Sequence, residues 1–154
     1  MKQYLKFIIP ALVLIIVGVI VFVCTRKVKP FYLEEEYYND KAITQITKDD
    51  LETLLSEKKS FVLFAYTNVC LFSVPCETVF ETSATNMGIN ILSIPLTEYR
   101  ETKLYNKVKY APTVIIIKDG KIVDYLDSNK DEHSSLYQDS SAFESWVHTY
   151  VLDK

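Results

Sequence analysis

The run Phe61-Val-Leu-Phe-Ala-Tyr-Thr67 constrains this chain more than any other segment. It is apolar without alternation, so it reads as a strand covered on both faces, and it is short enough to lie at the centre of a sheet. It leads at once into Asn68-Val69-Cys70, and a second cysteine follows in Val74-Pro75-Cys76. Far along the chain, Tyr110-Ala111-Pro112-Thr113 precedes a second apolar run, Val114 to Ile117, which ends in Asp119-Gly120.

Between and around these runs the elements alternate. Ala42 to Ile46 alternates apolar and polar residues, as an outer strand does. Thr47 with Asp50 forms a capping-box variant, and Leu51, Leu54 and Leu55 give the following helix one apolar face. Pro75 suits the first turn of a helix that runs to about Met87 and stops at Gly88. Ile89 to Leu96 reads as a strand, and Glu98 to about Lys109 as a helix with Tyr99, Leu104 and Val108 on its packed side. Thr113 to Lys118 and Lys121 to Leu126 form a hairpin through Asp119-Gly120. Ser128 to Ser140 is polar and reads as a loop. Ser141 and Glu144 form a capping box for a last helix whose apolar face carries Phe143, Trp146, Val147, Tyr150 and Val151.

Charge is distributed unevenly over the 154 residues. Residues 1–30 hold five basic side chains and no acid. The remainder holds 12 basic and 20 acidic residues, a net charge of −8, which repels phosphate backbones and excludes nucleic acid as a partner. Three cysteines, Cys24, Cys70 and Cys76, are too few for a disulfide-stapled mini-fold or a four-cysteine zinc site. His133 and His148 have no companion ligand at metal spacing, so neither a metal nor another cofactor is expected.

Residues 7–24 are 18 uncharged, mostly aliphatic residues bracketed by Lys6 and Arg26. As a helix they span roughly 27 Å, enough to cross a bilayer core. Val21-Phe22-Val23 lacks the small residues of a cleavage site, and Val23 before Cys24 does not suit a lipoprotein signal, so an uncleaved single-pass anchor is expected. The expected organisation is a tail (1–6), an anchor (7–24), a juxtamembrane stem (25–40) with a solvated Glu34-Glu35-Glu36 run, and a folded domain (41–154). Basic residues balance across the span. The short tail and the cysteine pair place the domain on the outer side of the cell membrane, where disulfides persist.

A buried strand running into a cysteine, a helix, and a proline before another apolar strand resembles the thioredoxin-like superfamily over about residues 42–152. The element order β-α-β-α-β-α-β-β-α is similar to that family's. The fold class implied is α/β, a central mixed sheet with helices on both faces. Within the superfamily the chain looks most like membrane-tethered accessory proteins of Gram-positive bacteria, of the bacteriocin-transport-accessory type. The resemblance implies thiol–disulfide exchange with protein thiols or disulfides, working with a redox partner. Cys70 takes the position of the attacking cysteine and Cys76 that of the resolving one. Tyr110, Ala111, Pro112 and Thr113 then line a peptide groove, with Pro112 in the cis form.

The cysteine spacing departs from the family, with five residues between the thiols instead of two. A disulfide needs Cα atoms about 4.4–6.8 Å apart. Positions six apart on one helix are about 9 Å apart by rise alone. The pair therefore bridges only if residues 71–74 form a loop, which Ser73 and Pro75 favour. The family's buried acid falls at Phe64 and its tryptophan at Val69. These departures keep a second class open, a non-catalytic binding module of a membrane complex. Thr67-Asn68-Val69-Cys70 also fits the Thr-x-x-Cys of peroxiredoxins, with Arg100 the sole arginine beyond the juxtamembrane segment, which gives thiol peroxidase as a minor alternative.

Overall fold

A computed structural model describes residues 28–38, 42–67 and 75–154. The expected anchor at 7–24 and Cys70 lie outside the described residues. Among the described residues no helix is long and apolar enough to cross a membrane.

Among the described residues, five strands form one sheet: β1 (Ile43–Gln45), β2 (Phe61–Tyr66), β3 (Ile91–Pro95), β4 (Thr113–Lys118) and β5 (Lys121–Tyr125). Their order across the sheet is β1-β3-β2-β4-β5. β1, β3 and β2 run parallel, and β4 is antiparallel to both β2 and β5. The unalternating sequence of β2 thus has its cause in position. It is the middle strand, and Phe61 to Ala65 are all at most 2% exposed.

The described residues hold four α-helices beside the sheet: α1 (Lys48–Ser56), α2 (Cys76–Met87), α3 (Leu96–Tyr99) and α4 (Ser140–His148). Thr47 and Asp50 close a reciprocal capping box at α1. Gly88 ends α2 in the left-handed conformation, φ 67°. On one face of the sheet Phe64 meets Phe80 of α2 edge-on, with ring centroids 4.9 Å apart, and Phe80 in turn packs on Phe143 of α4 at 4.6 Å. Phe61, of opposite parity on β2, meets Tyr37 on the other side. The Asp119-Gly120 hairpin has φ of 50° and 70°, as a tight turn with two left-handed residues requires. Gly120 donates its N–H to Lys59 O at 2.9 Å. A Cβ there would overlap the Leu55 carbonyl, so this close approach admits glycine alone.

Four features differ from the sequence reading. First, residues of the expected stem pack into the folded domain: Phe31, Leu33, Tyr37 and Tyr38 are at most 7% exposed and belong to the core. Phe31 bridges Val151, Tyr38 bridges Ile89, and the Tyr38 hydroxyl accepts from Leu33 N and donates to Leu152 O. Second, the helix expected over 98–109 is one short turn, α3, followed by a 3-10 turn at Leu104–Asn106. Side chains supply the competing bonds: Thr102 Oγ1 donates to Tyr99 O at 2.8 Å and Glu52 accepts from Lys103 N at 3.0 Å. Third, the expected loop over 128–140 contains a 3-10 helix, Asp131–Tyr137. Fourth, Asp139, not Ser141, caps α4, accepting from Ala142 N at 3.1 Å.

Candidate functional site

The C-terminal ends of β2 and β3 and the start of β4 converge at one pole of the sheet. Register fixes this: Ala65 pairs with Thr113 on β4 and with Ile94 on β3, and Tyr66 pairs with Pro95. Pro112, which precedes β4, therefore abuts the end of β2, from which the chain passes through Thr67 towards the cysteine segment. The Ala111–Pro112 peptide bond is cis, as the resemblance implied. Pro112 and Thr113 are buried, Ala111 is half-buried and Tyr110 is 37% exposed. The four groove residues expected from sequence thus run from the surface into the core.

Cys76 opens α2, with Pro75 at the cap position. It is 3% exposed and disulfide-bonded. The residues expected to carry its partner, Cys70 and the 71–74 loop, lie outside the described residues. Cys76 and Phe80 are one helical turn apart, so both face the sheet, with Cys76 nearer the β2 terminus than the Phe64–Phe80 contact. Glu77 follows Cys76 in the first turn of the helix.

Phe64 stands where the resemblance places a buried acid. It is 2% exposed, paired with Ser93 and Val114, and surrounded by Phe80 and Tyr66 rings. No proton acceptor occupies that position in the core.

Tyr137 escaped the sequence reading. Its ring is fully buried against Phe80, and its hydroxyl donates to Pro112 O at 2.9 Å. Burial, with a smaller contribution from Asp127, pushes the phenol well above its ordinary range, so it stays a donor. Thr113 Oγ1 likewise donates to Leu126 O at 2.5 Å. The sequence signal for Tyr137 was an aromatic residue, beside Leu136, in a mostly polar stretch. His133 accepts at Nδ1 from Asp127 N at 2.9 Å and so helps fold this same segment.

Two clefts flank Tyr66. One, of about 180 Å³, is lined by Gln45, Tyr66, Ser93, Glu77 and Glu81 among others. Tyr66 donates its hydroxyl to Gln45 Oε1 at 2.9 Å on that side. The other, of about 270 Å³, is lined by Tyr66, Thr67, Pro95, Leu96, Thr97 and Arg100. The surroundings of the site are therefore acidic on one flank and carry a guanidinium on the other.

No family model matches this chain, and no curated protein matches it. Solved structures do. The oxidised thioredoxin of Plasmodium falciparum is similar at a TM-score of 0.51 and 13% identity, covering 69% of this chain and 95% of that one. The J-Trx1 fragment of ERdj5 is similar at 0.50 and 11% identity, covering 70% of this chain and 50% of that one. A mutant thioredoxin from Halobacterium salinarum has a TM-score of 0.49 at 18% identity, covering 71% and 91%. Identities this low speak to fold alone. Together with the strand order and register, the first two give the described domain a thioredoxin-like fold.

Proposed function

We propose that this chain is a thiol–disulfide oxidoreductase, tethered to the cell membrane through residues 7–24 and acting on extracytoplasmic protein thiols. The observation that carries the reading is Cys76: a disulfide-bonded cysteine at the first position of α2, at the pole where β2 ends and β4 begins. Cys70, six residues earlier, is its partner in this reading.

In the reducing direction the Cys70 thiolate attacks one sulfur of a client disulfide. A Cys70–client S–S bond forms, the client's own S–S bond breaks, and its other sulfur leaves as a thiolate. Cys76, as thiolate, then attacks Cys70 sulfur and releases the second client thiolate. The client gains two electrons, and the cysteine pair loses two by closing its disulfide. The oxidising direction is the same sequence reversed. Tyr110 and the Ala111 backbone contact the client chain, and Tyr137 holds the Pro112 carbonyl from below. Phe64 supplies no proton acceptor to Cys76, so resolution is slow.

The same Phe64 favours a second reading, a binding module that holds a partner in a membrane complex through the groove at Tyr110 and Ala111. Mass spectrometry of non-reduced, protease-digested full-length protein tests the first reading. It predicts a peptide joining Cys70 to Cys76 that separates on reduction. A Cys24–Cys76 link instead would contradict it.

A further inference from the structure

We propose that the cleft between the β1–β3–β2 face of the sheet and α2 binds a guanidinium, the arginine side chain of a partner polypeptide; this does not depend on thiol exchange. The floor of the cleft is one register row. Gln45 on β1 pairs with Ser93 on β3, and Ser93 pairs with Phe64 on β2, so the three side chains share a face. That face is turned to α2, where Phe64 meets Phe80. Tyr66, two residues along β2, lies on the same face, and its ring centroid is 5.8 Å from that of Phe64. Its hydroxyl reaches across β3 to Gln45 Oε1 at 2.9 Å. Glu77 and Glu81, one turn apart on α2, supply the opposite rim.

Two independent features point to a cationic ligand. The first is charge. Glu34, Glu35, Glu52, Glu101 and Glu132 each have a basic neighbour, but among the described residues none pairs with Glu77 or Glu81. The second is Ser93. It is 5% exposed and lines the cleft, and among the described residues its hydroxyl has no hydrogen-bond partner. Buried hydroxyls are nearly always bonded, so this one is free to accept from a ligand.

The volume, about 180 Å³, suits a single side chain rather than a chain segment. A guanidinium fits better than an ammonium. Its five N–H donors lie in one plane, so it can meet a carboxylate and the Ser93 hydroxyl together while its face lies on the Tyr66 ring. A hard metal ion takes six or more oxygens, and the described residues hold no group of three acidic, histidine or cysteine ligands. Glu77 and Glu81 are exposed, so the rim is open to a macromolecule, and the acidic folded part of the chain attracts a basic one.

Three blocked tripeptides test the assignment. They differ only in the central side chain between two glycines: arginine, its neutral isostere citrulline, or lysine. Each is titrated into the isotope-labelled full-length chain in nonionic detergent, and amide shifts are followed by NMR. The arginine peptide should move the Gln45, Ser93 and Tyr66 amides saturably at millimolar concentration. Lysine should bind more weakly and citrulline not at all. Glu77→Gln and Glu81→Gln should each weaken arginine binding about threefold, and together about tenfold. Ser93→Ala should also weaken it about threefold, and raised ionic strength should weaken it further. Glu132→Gln removes the same charge elsewhere and should change nothing.

Equal binding of arginine and citrulline, lysine binding as tightly as arginine, or no saturable shift at these three positions would overturn the assignment. So would a loss with Glu132→Gln as large as with the cleft variants. Methylguanidine carries the same head without a peptide chain, and its binding more tightly than the arginine peptide would overturn the polypeptide partner.

Discussion

Tyr137 shows how a single side chain shapes this pole without taking part in chemistry. Its hydroxyl reaches Pro112 O through a fully buried contact, so removing it leaves a carbonyl without that donor. Tyr137→Phe is expected to cost about 1–2 kcal/mol in urea unfolding, with the fold retained. An unchanged midpoint would mean that the bond contributes nothing net. Phe64 makes the opposite point. A residue that resembles an ordinary core aromatic occupies the place that a proton acceptor would take, and its ring packs edge-on against Phe80. That substitution was legible in the sequence by counting along the β2 run. The support from Tyr137 was not, because the segment 128–140 is polar on average and its one large aromatic finds its partner only through the fold.

Elements were legible where one physical signal dominated. The unalternating β2 and β4 runs, the Thr47–Asp50 cap and the Asp119-Gly120 turn each state a local requirement that the fold keeps. The stretch 98–109 failed because helical composition lost to a local bond from Thr102 and a tertiary one to Glu52, which no periodicity encodes. At α4 two acceptors competed for one helix start, and Asp139 reached the free amide first. Among these local devices the hairpin glycine is the most demanding. Gly120→Ala forces a Cβ towards the Leu55 carbonyl at positive φ, and is expected to destabilise by about 2 kcal/mol or more, read as a lowered denaturant midpoint. Thr47→Ala should cost about 1 kcal/mol by the same measurement, because it opens the capping box while burying nothing new.

At the scale of the molecule, the described stem and Cys76 occupy opposite poles. Phe31 lies under Lys118 at the end of β4, and Glu34 N donates to Ser60 O just before β2 begins. Cys76 and Pro112 sit at the other end of β2, about 20 Å away by strand rise. In the proposed tethered protein the site therefore faces away from the bilayer, and an impermeant thiol reagent on reduced whole cells should label it. Labelling only after lysis would place the domain in the cytoplasm. The core that joins the poles is rich in tyrosine, which gives a pH signature. Burial first, then Glu36, pushes Tyr37 up to about 12, and burial with the Asp124 hydrogen bond does the same to Tyr150. Burial also raises Tyr99 and Tyr137. A raised phenol pKa means that the folded state holds more protons than the unfolded one. Stability is then fully present below the ordinary tyrosine pKa of about 10 and falls as pH rises towards 12. Tyrosinate absorbance should rise in two stages, the buried set appearing only with unfolding. A single stage near the ordinary value would contradict the burial.

The central claim is that Cys70 attacks and Cys76 resolves, and trapping tests it most directly. The full-length Cys76→Ser variant, expressed in cells and isolated under non-reducing conditions after acid quenching, should carry client proteins as mixed disulfides through Cys70 that a reducing agent dissolves. Adding Cys70→Ser should abolish them. A Cys76→Ser variant that traps nothing, beside a Cys70→Ser variant that retains full biological function, would contradict the account and assign this chain to the binding module.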